Sequence, residues 1–250
     1  MPETCPICDG TGWTVVERNG LTGAQRCTCA AQARVASLRD ATNIPPKYEN
    51  ASLDNFQIPQ ENPIARAGLG KVLMQVRSFV REFPAADRPG LLLVGDTGTG
   101  KTHLAVAALR AIVEKGHEGL FYDFQNLLDR IRSGYDAASG TSDRAAYRNA
   151  MEAEVLLLDD LGSHRITEWV EDTVTSIITY RCNHQKPWIA TTTLEVDDAG
   201  PVAYTTAGGT QVHRKTLGDV IGARARSRLF EMCRIVRMPA VEDYRVRRAR

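Results

Sequence analysis

The sequence lacks any long hydrophobic run, and it carries almost no excess of charge of either sign. Its most apolar stretches, such as residues 90–94 and 155–158, are far shorter than the ~20 residues that a membrane-spanning helix needs. Thirty-one basic residues face thirty acidic ones, which excludes a polycation that coats nucleic acid by bulk charge but allows local basic patches. The first residues, MPETCPICDG, have neither the basic nor the apolar region of a signal peptide, so we expect a cytoplasmic protein without membrane contact.

What is present is an ordinary globular composition, with 43% hydrophobic and 24% charged residues in 250. That length predicts one large domain, or one domain with a small appendage. Four of the six cysteines fall within the first 29 residues, whereas prolines concentrate in residues 43–63. We therefore divide the chain into a cysteine-rich segment with a short helix (residues 1–42), a linker (43–63) and a main domain (64–250).

Short apolar strands and helices alternate through the main domain. Strands are predicted at residues 90–95, 119–124, 155–159, 188–193 and 234–238. Helices are predicted at residues 30–40, 65–83, 101–115, 125–132, 167–184 and 218–233, and irregular loops at 133–145 and 200–216. All-apolar strands that alternate with helices indicate an α/β fold whose parallel sheet is covered on both faces.

A phosphate-binding loop gives the strongest signal. Residues 95–102 read GDTGTGKT and match G-x-x-x-x-G-K-[ST] between a predicted strand and a predicted helix. Its glycines let the backbone N–H groups converge on an anion, Lys101 would reach the β- and γ-phosphates, and Thr102 would bind Mg²⁺. The predicted nucleotide-binding residues are Gly95, Asp96, Thr97, Gly98, Thr99, Gly100, Lys101, Thr102 and His103. The alternative is a chance glycine-rich turn.

Polar side chains end two of the predicted strands. Asp159 and Asp160 close VLLLDD at the sheet edge where parallel sheets bind ligands, so Asp159 would hold Mg²⁺ and Asp160 would act as general base on water. Thr193 ends another strand, where its hydroxyl would contact the γ-phosphate or the water. A simple polar turn at the acidic pair, and the strand propensity of threonine, are the alternatives.

Arginines recur near the C-terminus. Arg224 and Arg228 are four residues apart and would share a helix face. Such an arginine can stabilise a phosphoryl group across a subunit boundary, although a solvated basic face is the alternative. Basic residues over 213–237 and 244–250 are candidates for DNA phosphate contacts, or else are ordinary surface charge and a frayed terminus. Three aromatic residues are predicted to lie in the core rather than to stack on nucleic-acid bases: Phe121, Tyr122 and Phe124.

The cysteine spacing predicts a structural zinc site. Cys5 and Cys8 form C-x-x-C, and Cys27 and Cys29 form C-x-C, which suits tetrahedral Zn²⁺. No histidine lies in residues 1–40, so the site would be all-sulfur. A redox pair or free thiols are the alternative. The two remaining cysteines, Cys182 and Cys233, are expected to be inert.

In series, these segments resemble the DnaC/DnaI helicase-loader and IstB-like family of AAA+ ATPases. NIPPKYENASLDNF is similar to its lead-in segment, GDTGTGKTHLAVAAL and VLLLDDLGS to its Walker motifs, and IGARARSRLF to its arginine-finger helix. The cysteine segment is similar to one found in DnaC-type proteins. The resemblance favours Arg228 as the finger, with Arg224 second. The chain departs from the family at Thr193, where asparagine is usual.

The resemblance implies a helicase loader that uses ATP, Mg²⁺ and Zn²⁺. Such a protein would assemble head to tail with ATP, bind a hexameric replicative DNA helicase and single-stranded DNA, and hydrolyse ATP for release. One alternative is an IstB-like transposition helper ATPase, which usually lacks the cysteine segment. The other is a nucleotide-dependent DNA-binding switch with little hydrolysis.

Overall fold

The computed structural model describes residues 5–18, 20–84, 87–133, 144–163, 167–196, 203–205, 211–213 and 215–248. Its strands are β1 (Trp13–Arg18), β2 (Leu21–Arg26), β3 (Gly90–Val94), β4 (Gly119–Asp123), β5 (Val155–Asp159), β6 (Trp188–Thr192), β7 (Ala203–Thr205), β8 (Gln211–His213) and β9 (Cys233–Arg237). Its helices are α1 (Thr28–Asp40), α2 (Pro63–Glu82), α3 (Lys101–Glu114), α4 (Phe124–Ser133), α5 (Arg144–Glu152), α6 (Glu168–Asn183), α7 (Leu217–Ile221), α8 (Ala223–Met232) and α9 (Tyr244–Arg248).

The centre is a parallel sheet of five strands in the order β4-β5-β6-β3-β9. Every residue of β3, β5 and β6 is buried, which explains why their sequences are apolar without alternation. Because the strands are parallel, Val94, Asp159 and Thr192 end at the same edge of the sheet. The loops that follow them are therefore brought together there.

Each face of the sheet has its own core. Leu91 and Leu93 of β3 pack with α2 and α3, whereas Leu92 and Val94 pack with α4, α6 and α8. The expected core aromatics are confirmed, since Phe121, Tyr122 and Phe124 are all buried. Among the described residues, no helix is long and apolar enough to cross a membrane.

Most predicted elements end within two residues of the observed ones, but the prediction of one helix over 218–233 is wrong. Gly222 has φ +82°, which only glycine adopts readily, and it separates α7 from α8; Cys233 already belongs to β9. The hairpin β1–β2, helix α5 and the C-terminal helix α9 are among the elements that were not predicted.

The loop expected over 200–216 contains β7 and β8, which pair antiparallel, so it is not wholly irregular. Three parts of that loop, residues 200–202, 206–210 and 214, lie outside the described residues. Lys215 is described, as is Thr216, the N-cap of α7. Of the loop expected over 133–145, residues 134–143 lie outside them too, while Arg144 begins α5.

The segment predicted as a linker, residues 43–63, follows the surface of α3. His103 Nε2 lies 3.0 Å from the Ser52 carbonyl, and Arg110 donates to the Ala51 carbonyl at 2.6 Å. At the end of the segment, the Asn62 side chain accepts from the Ile64 and Ala65 N–H groups and caps α2. These contacts fix the segment beside the phosphate-binding loop.

Candidate nucleotide site

The loop between β3 and α3 is closed by its own hydrogen bonds. Lys101 Nζ and Thr99 Oγ1 both donate to the Asp96 carbonyl, each at 2.8 Å. Gly98 and Gly100 have φ of +76° and +95°, so their positions favour glycine. The Phe56 ring packs directly on Gly100, where a Cβ would lie 2.6 Å from Phe56 Cε2.

Lys101 is a cation at the buried start of α3, with a side chain that is 5% exposed. Burial lowers its pKa, while the carboxylates of Asp160, Asp159 and Asp96 act in the opposite direction. An anion in the loop would stabilise this charge, because the helix N-terminus adds its own positive potential at the same place.

The two acidic residues after β5 lie in different environments. Asp159 is buried, and its Oδ1 accepts a hydrogen bond from Thr191 Oγ1 at 2.6 Å. Burial and the charge of Asp160 raise the pKa of Asp159 to about 6, although the Thr191 and Thr102 hydroxyls oppose the shift. Asp160 is exposed, has φ +54°, and faces a cavity. The pair can thus divide metal binding from proton transfer.

Threonines of β6 organise this edge. The hydroxyl of Thr191, besides donating to Asp159, accepts from the Asp160 N–H at 2.9 Å. Thr192 donates to the Leu161 carbonyl at 2.8 Å. Strand β6 ends there, and the predicted Thr193 follows it, exposed to the cavity. The positioning role of Thr191 was missed, although the parallel register predicts that Asp159 and Thr191 are neighbours.

These groups surround a cavity of about 850 Å³, a size typical of small-molecule sites. Residues 97–103 of the loop and helix start line it together with Asp160, Ser163 and Thr193, whereas Gly95, Asp96 and Asp159 lie outside its lining. Residues 43–63 and the C-terminal segment also contribute to the lining: Lys47, Tyr48, Phe56, Gln57, Glu61, Val241, Glu242, Tyr244 and Arg245. Ala65 and Leu69 of α2 supply apolar surface.

The C-terminal residues 238–244 run along the phosphate-binding loop, a contact that was not predicted. The Met238 N–H donates to the Val94 carbonyl at 2.7 Å, and the Tyr244 N–H donates to the Gly98 carbonyl at 3.1 Å. Tyr244 Oη also donates to Gln57 Oε1 at 3.3 Å. Neither a motif nor a periodicity in the sequence signals these contacts.

The two candidate finger arginines lie away from this cavity. Arg224 is exposed in the first turn of α8. Arg228 follows one turn later, where its Nη1 lies 2.9 Å from Glu231 Oε2 and its guanidinium is next to Cys182. Neither arginine is among the described residues that line the cavity.

The four N-terminal cysteines converge. Their sulfur atoms all lie within 4.8 Å of one another, with 3.9 Å between Cys5 and Cys27 and 3.4 Å between Cys8 and Cys29. A tetrahedral ZnS₄ site, with Zn–S bonds of about 2.3 Å, has sulfurs roughly 3.8 Å apart. The two measured separations lie on either side of that value, so the four sulfurs form a candidate metal site.

The protons of these thiols are shared unevenly, because the pKa of Cys8 is lowered while that of its partner Cys29 is raised. Burial raises the pKa of Cys8, but hydrogen bonds from the Cys29 thiol and the Gly12 N–H outweigh it and lower the pKa to about 7. The Gly12 N–H lies 3.3 Å from Cys8 Sγ. A thiolate is the form that binds zinc. Of the other two cysteines, Cys233 is buried and Cys182 is partly buried.

Comparison with known proteins identifies the family. The IstB-like ATP binding proteins match residues 71–202, a range that contains the loop, the acidic pair and Thr193. The chain belongs to this family. The AAA+ resemblance and the expected fold, a P-loop core of parallel strands covered by helices, are thereby confirmed.

Individual relatives agree. The crystal structure of the DnaC helicase loader has a TM-score of 0.61 and 31% identity, over 78% of this chain and all of that one. The phage-like element PBSX protein XkdC of Bacillus subtilis is 24% identical over 84% of this chain and 78% of its own length. The replicative helicase loader DnaC of Escherichia coli K12 is 23% identical over 58% of this chain, and the matched region spans 56% of DnaC.

Proposed function

We propose that this protein is a DnaC-like helicase loader, which binds ATP, assembles on a replicative helicase or on single-stranded DNA, and hydrolyses ATP for release. One observation supports this most strongly: the buried cation Lys101 and the carboxylate of Asp160 face each other across one cavity beside a phosphate-binding loop. The client is inferred from the names of the DnaC relatives, which are replicative helicase loaders.

The site fits magnesium with ATP. The Thr102 hydroxyl forms a hydrogen bond with the buried carboxylate of Asp159. A divalent cation at this place would lower the raised pKa of Asp159 again, because it stabilises the charged carboxylate. Magnesium bound there supplies charge stabilisation for the phosphates. Asp160, exposed to the cavity, accepts the proton of the attacking water, and the Thr193 hydroxyl orients that water or the γ-phosphate. Lys101 and the loop N–H groups hold the phosphates.

Subunits would stack head to tail, so that Arg228 or Arg224 completes the site of a neighbour. The position of both arginines outside their own cavity supports this arrangement, because a heterologous contact joins two different surfaces. Arg228 would have to leave Glu231 to reach a phosphate, whereas Arg224 is already exposed. The nucleotide would then control the assembly.

ATP binding and turnover test the site. Lys101→Ala should abolish ATP binding, because it removes the charge that faces the phosphates. Asp160→Asn should keep ATP binding but lower turnover at least ~100-fold, which is the rate enhancement that a general base usually contributes. Fluorescent-nucleotide titration and phosphate release measure the two effects, with Arg81→Ala on the exposed face of α2 as the control. Unchanged ATP affinity in Lys101→Ala would refute the site.

Mixing variants tests the arginines. Asp160→Asn and Arg228→Ala should each be inactive, yet an equal mixture should regain about a quarter of wild-type turnover, since a quarter of random head-to-tail contacts pair two intact halves. The same mixture with Arg224→Ala decides between the two arginines. The finger assignment is wrong if Arg228→Ala and Arg224→Ala each still hydrolyse ATP on their own and neither mixture regains turnover.

The client can be tested by capture of the replicative helicase of the same host, with ATP and without. Nucleotide-dependent capture supports the loader. Capture of a transposase, with the helicase left unbound, would favour the alternative of an IstB-like transposition helper. If single-turnover assays with single-stranded DNA detect no hydrolysis, the protein is a nucleotide-dependent switch, which Thr193 in place of asparagine would favour.

We also infer that Cys5, Cys8, Cys27 and Cys29 bind one structural Zn²⁺. The convergence of all four sulfurs supports zinc over a redox pair, because a redox pair needs only two cysteines. With four protein ligands the site is closed, so it would hold the β1–β2 hairpin to α1 rather than take part in chemistry.

A further inference from the structure

A four-residue turn follows β5 and brings two polar side chains to the nucleotide cavity. Asp160 begins the turn and Ser163 ends it, and the Ser163 N–H donates to the Asp160 carbonyl at 3.0 Å. Both residues are exposed, and both line the cavity. A turn closed by such a hydrogen bond keeps the Cα atoms of its first and last residues within about 7 Å of each other. Ser163 therefore lies near the proposed general base.

The backbone of this turn is fastened to β6. Leu161 donates its N–H to the Thr191 carbonyl at 2.8 Å, and its own carbonyl accepts from the Thr192 hydroxyl, also at 2.8 Å. Gly162 has φ +88°, and a Cβ there would lie 2.5 Å from Leu194 Cδ1, so the position favours glycine. The turn is thus held in one conformation by its surroundings, as is required of a group that positions a reactant.

The neighbouring strand adds a third polar side chain at the same place. Thr193 follows β6, is exposed and lines the cavity together with Asp160 and Ser163. A water that attacks the γ-phosphate must point a lone pair at phosphorus, so both of its O–H groups have to be directed elsewhere. The Asp160 carboxylate accepts one of them as the general base, and a second acceptor is needed for the other.

We infer that Ser163 is this second acceptor, so that Asp160 and Ser163 hold the attacking water from the two ends of one turn. One proton of the water goes to the Asp160 carboxylate, the water oxygen bonds to the γ-phosphorus, and the bond from that phosphorus to the leaving oxygen of ADP breaks. The Ser163 hydroxyl keeps its own proton. Thr193 is then left to donate to the γ-phosphate. The inference rests on the proposed ATP hydrolysis and adds a water-positioning residue to it.

The residue at position 193 determines how much Ser163 is needed. An asparagine amide carries its acceptor and its donors on two separate atoms, whereas Thr193 has a single oxygen on a shorter side chain. An asparagine there could accept from the water and donate to the phosphate, which would make the Ser163 hydroxyl redundant. With threonine, the two tasks are divided between Thr193 and Ser163.

Single-turnover ATP hydrolysis in the presence of single-stranded DNA tests the inference. Ser163→Ala should slow hydrolysis about 10-fold, the contribution of one hydrogen bond. Its ATP affinity should stay within about 2-fold of the wild type, because Lys101 and the loop hold the phosphates. Ser163→Thr keeps the hydroxyl and should stay within about 3-fold of the wild-type rate. The matched control is Ser176→Ala, which removes an exposed hydroxyl of α6 outside the cavity lining and should change neither quantity.

A second background separates water positioning from a structural effect. In the Thr193→Asn variant, the further change Ser163→Ala should slow hydrolysis no more than about 2-fold, because the amide takes over the role of the hydroxyl. An equal loss of about 10-fold in both backgrounds would overturn the inference, since Ser163 would then act independently of residue 193.

The failure of this inference can be distinguished from that of the proposed function. If the wild type hydrolyses no ATP, the proposed hydrolysis and the inference both fail. If it hydrolyses ATP and loses this activity in Asp160→Asn, yet Ser163→Ala keeps the wild-type rate, the inference alone is overturned. A fall in ATP affinity that matches the fall in rate would also overturn it, because Ser163 would then bind the nucleotide instead of positioning the water.

Discussion

The position of each acidic side chain depends on one hydroxyl. Thr191 donates to Asp159 at 2.6 Å and accepts from the Asp160 N–H at 2.9 Å, so it fixes the buried carboxylate and the backbone turn that exposes the next one. The sequence predicted Asp159 and Asp160 from a local motif. It did not single out Thr191, because threonine is common in strands and the pairing of β5 with β6 is not a local property.

Thr191→Val tests this role with a side chain of the same shape. The substitution leaves a buried carboxylate oxygen and an N–H group without their partner, so we expect a loss of about 1–3 kcal/mol of unfolding free energy. ATP turnover should fall as well, since Asp159 would be protonated more readily. Urea unfolding and phosphate release measure both. Thr175→Val, whose hydroxyl bonds the Ile221 carbonyl away from the cavity, is the control for turnover and should keep it.

Arg181 is a buried cation with a structural role. Its Nη1 donates to the carbonyls of Ala150, Met151 and Ala153 at 2.9–3.1 Å, and Nη2 donates to that of Pro187. Burial lowers its pKa to about 9. The guanidinium thus satisfies the carbonyls at the C-terminal end of α5, where a positive charge also complements the helix dipole.

Arg181→Met should therefore destabilise the fold by about 3 kcal/mol, because several buried carbonyls lose their donor. Chemical denaturation measures the change. Arg77→Met removes an exposed ion pair with Asp54 and should change stability by about 0.5 kcal/mol or less. Equal stability of Arg181→Met and the wild type would contradict the structural role.

At the scale of elements, the sequence predicted what short-range patterns encode. The strand Val155–Asp159 was predicted with its observed bounds, because a buried parallel strand is a continuous apolar run. The break between α7 and α8 was missed because GDVIGARARSRLF keeps a helical pattern through Gly222, and a glycine inside a helix is tolerated. The break is made by the backbone of Gly222, whose φ of +82° and ψ of +150° only glycine adopts readily.

Gly222→Ala tests whether the break is required. Gly222 has φ +82° and ψ +150°, and a Cβ there would lie 2.4 Å from Glu171 Oε1, so we expect a loss of about 1–3 kcal/mol. Gly70→Ala in α2, where a Cβ meets nothing within 4 Å, should instead stabilise the helix by about 0.5–1 kcal/mol. Thermal unfolding of the pair measures both signs. A stabilising Gly222→Ala would mean that α7 and α8 can join.

At the scale of the molecule, the chain comprises a core organised by the sheet and a small N-terminal unit, β1, β2 and α1, organised by four thiols. An exposed ion pair between Arg39 and Glu114 and a 2.7 Å bond from the Phe121 N–H to the Thr42 carbonyl join the two. Local motifs predicted both sites within these parts. The contact of the C-terminal residues with the phosphate-binding loop was missed because it joins residues about 145 positions apart in the sequence, Gly98 and Tyr244.

This division predicts that metal loss and ATP binding are separable. The unit is too small to bury a core of its own, so replacing Cys5 and Cys8 together by serine should release about one equivalent of zinc and speed amide exchange over residues 5–30. The ATP affinity should stay within about 2-fold of the wild type, because the loop rests on β3 and α3. Cys182→Ser, which removes a thiol outside the cluster, should retain the metal. Metal analysis that finds no zinc in the wild-type protein would refute the zinc site, whereas loss of ATP binding with the metal would show that the two parts are coupled through α1 and α3.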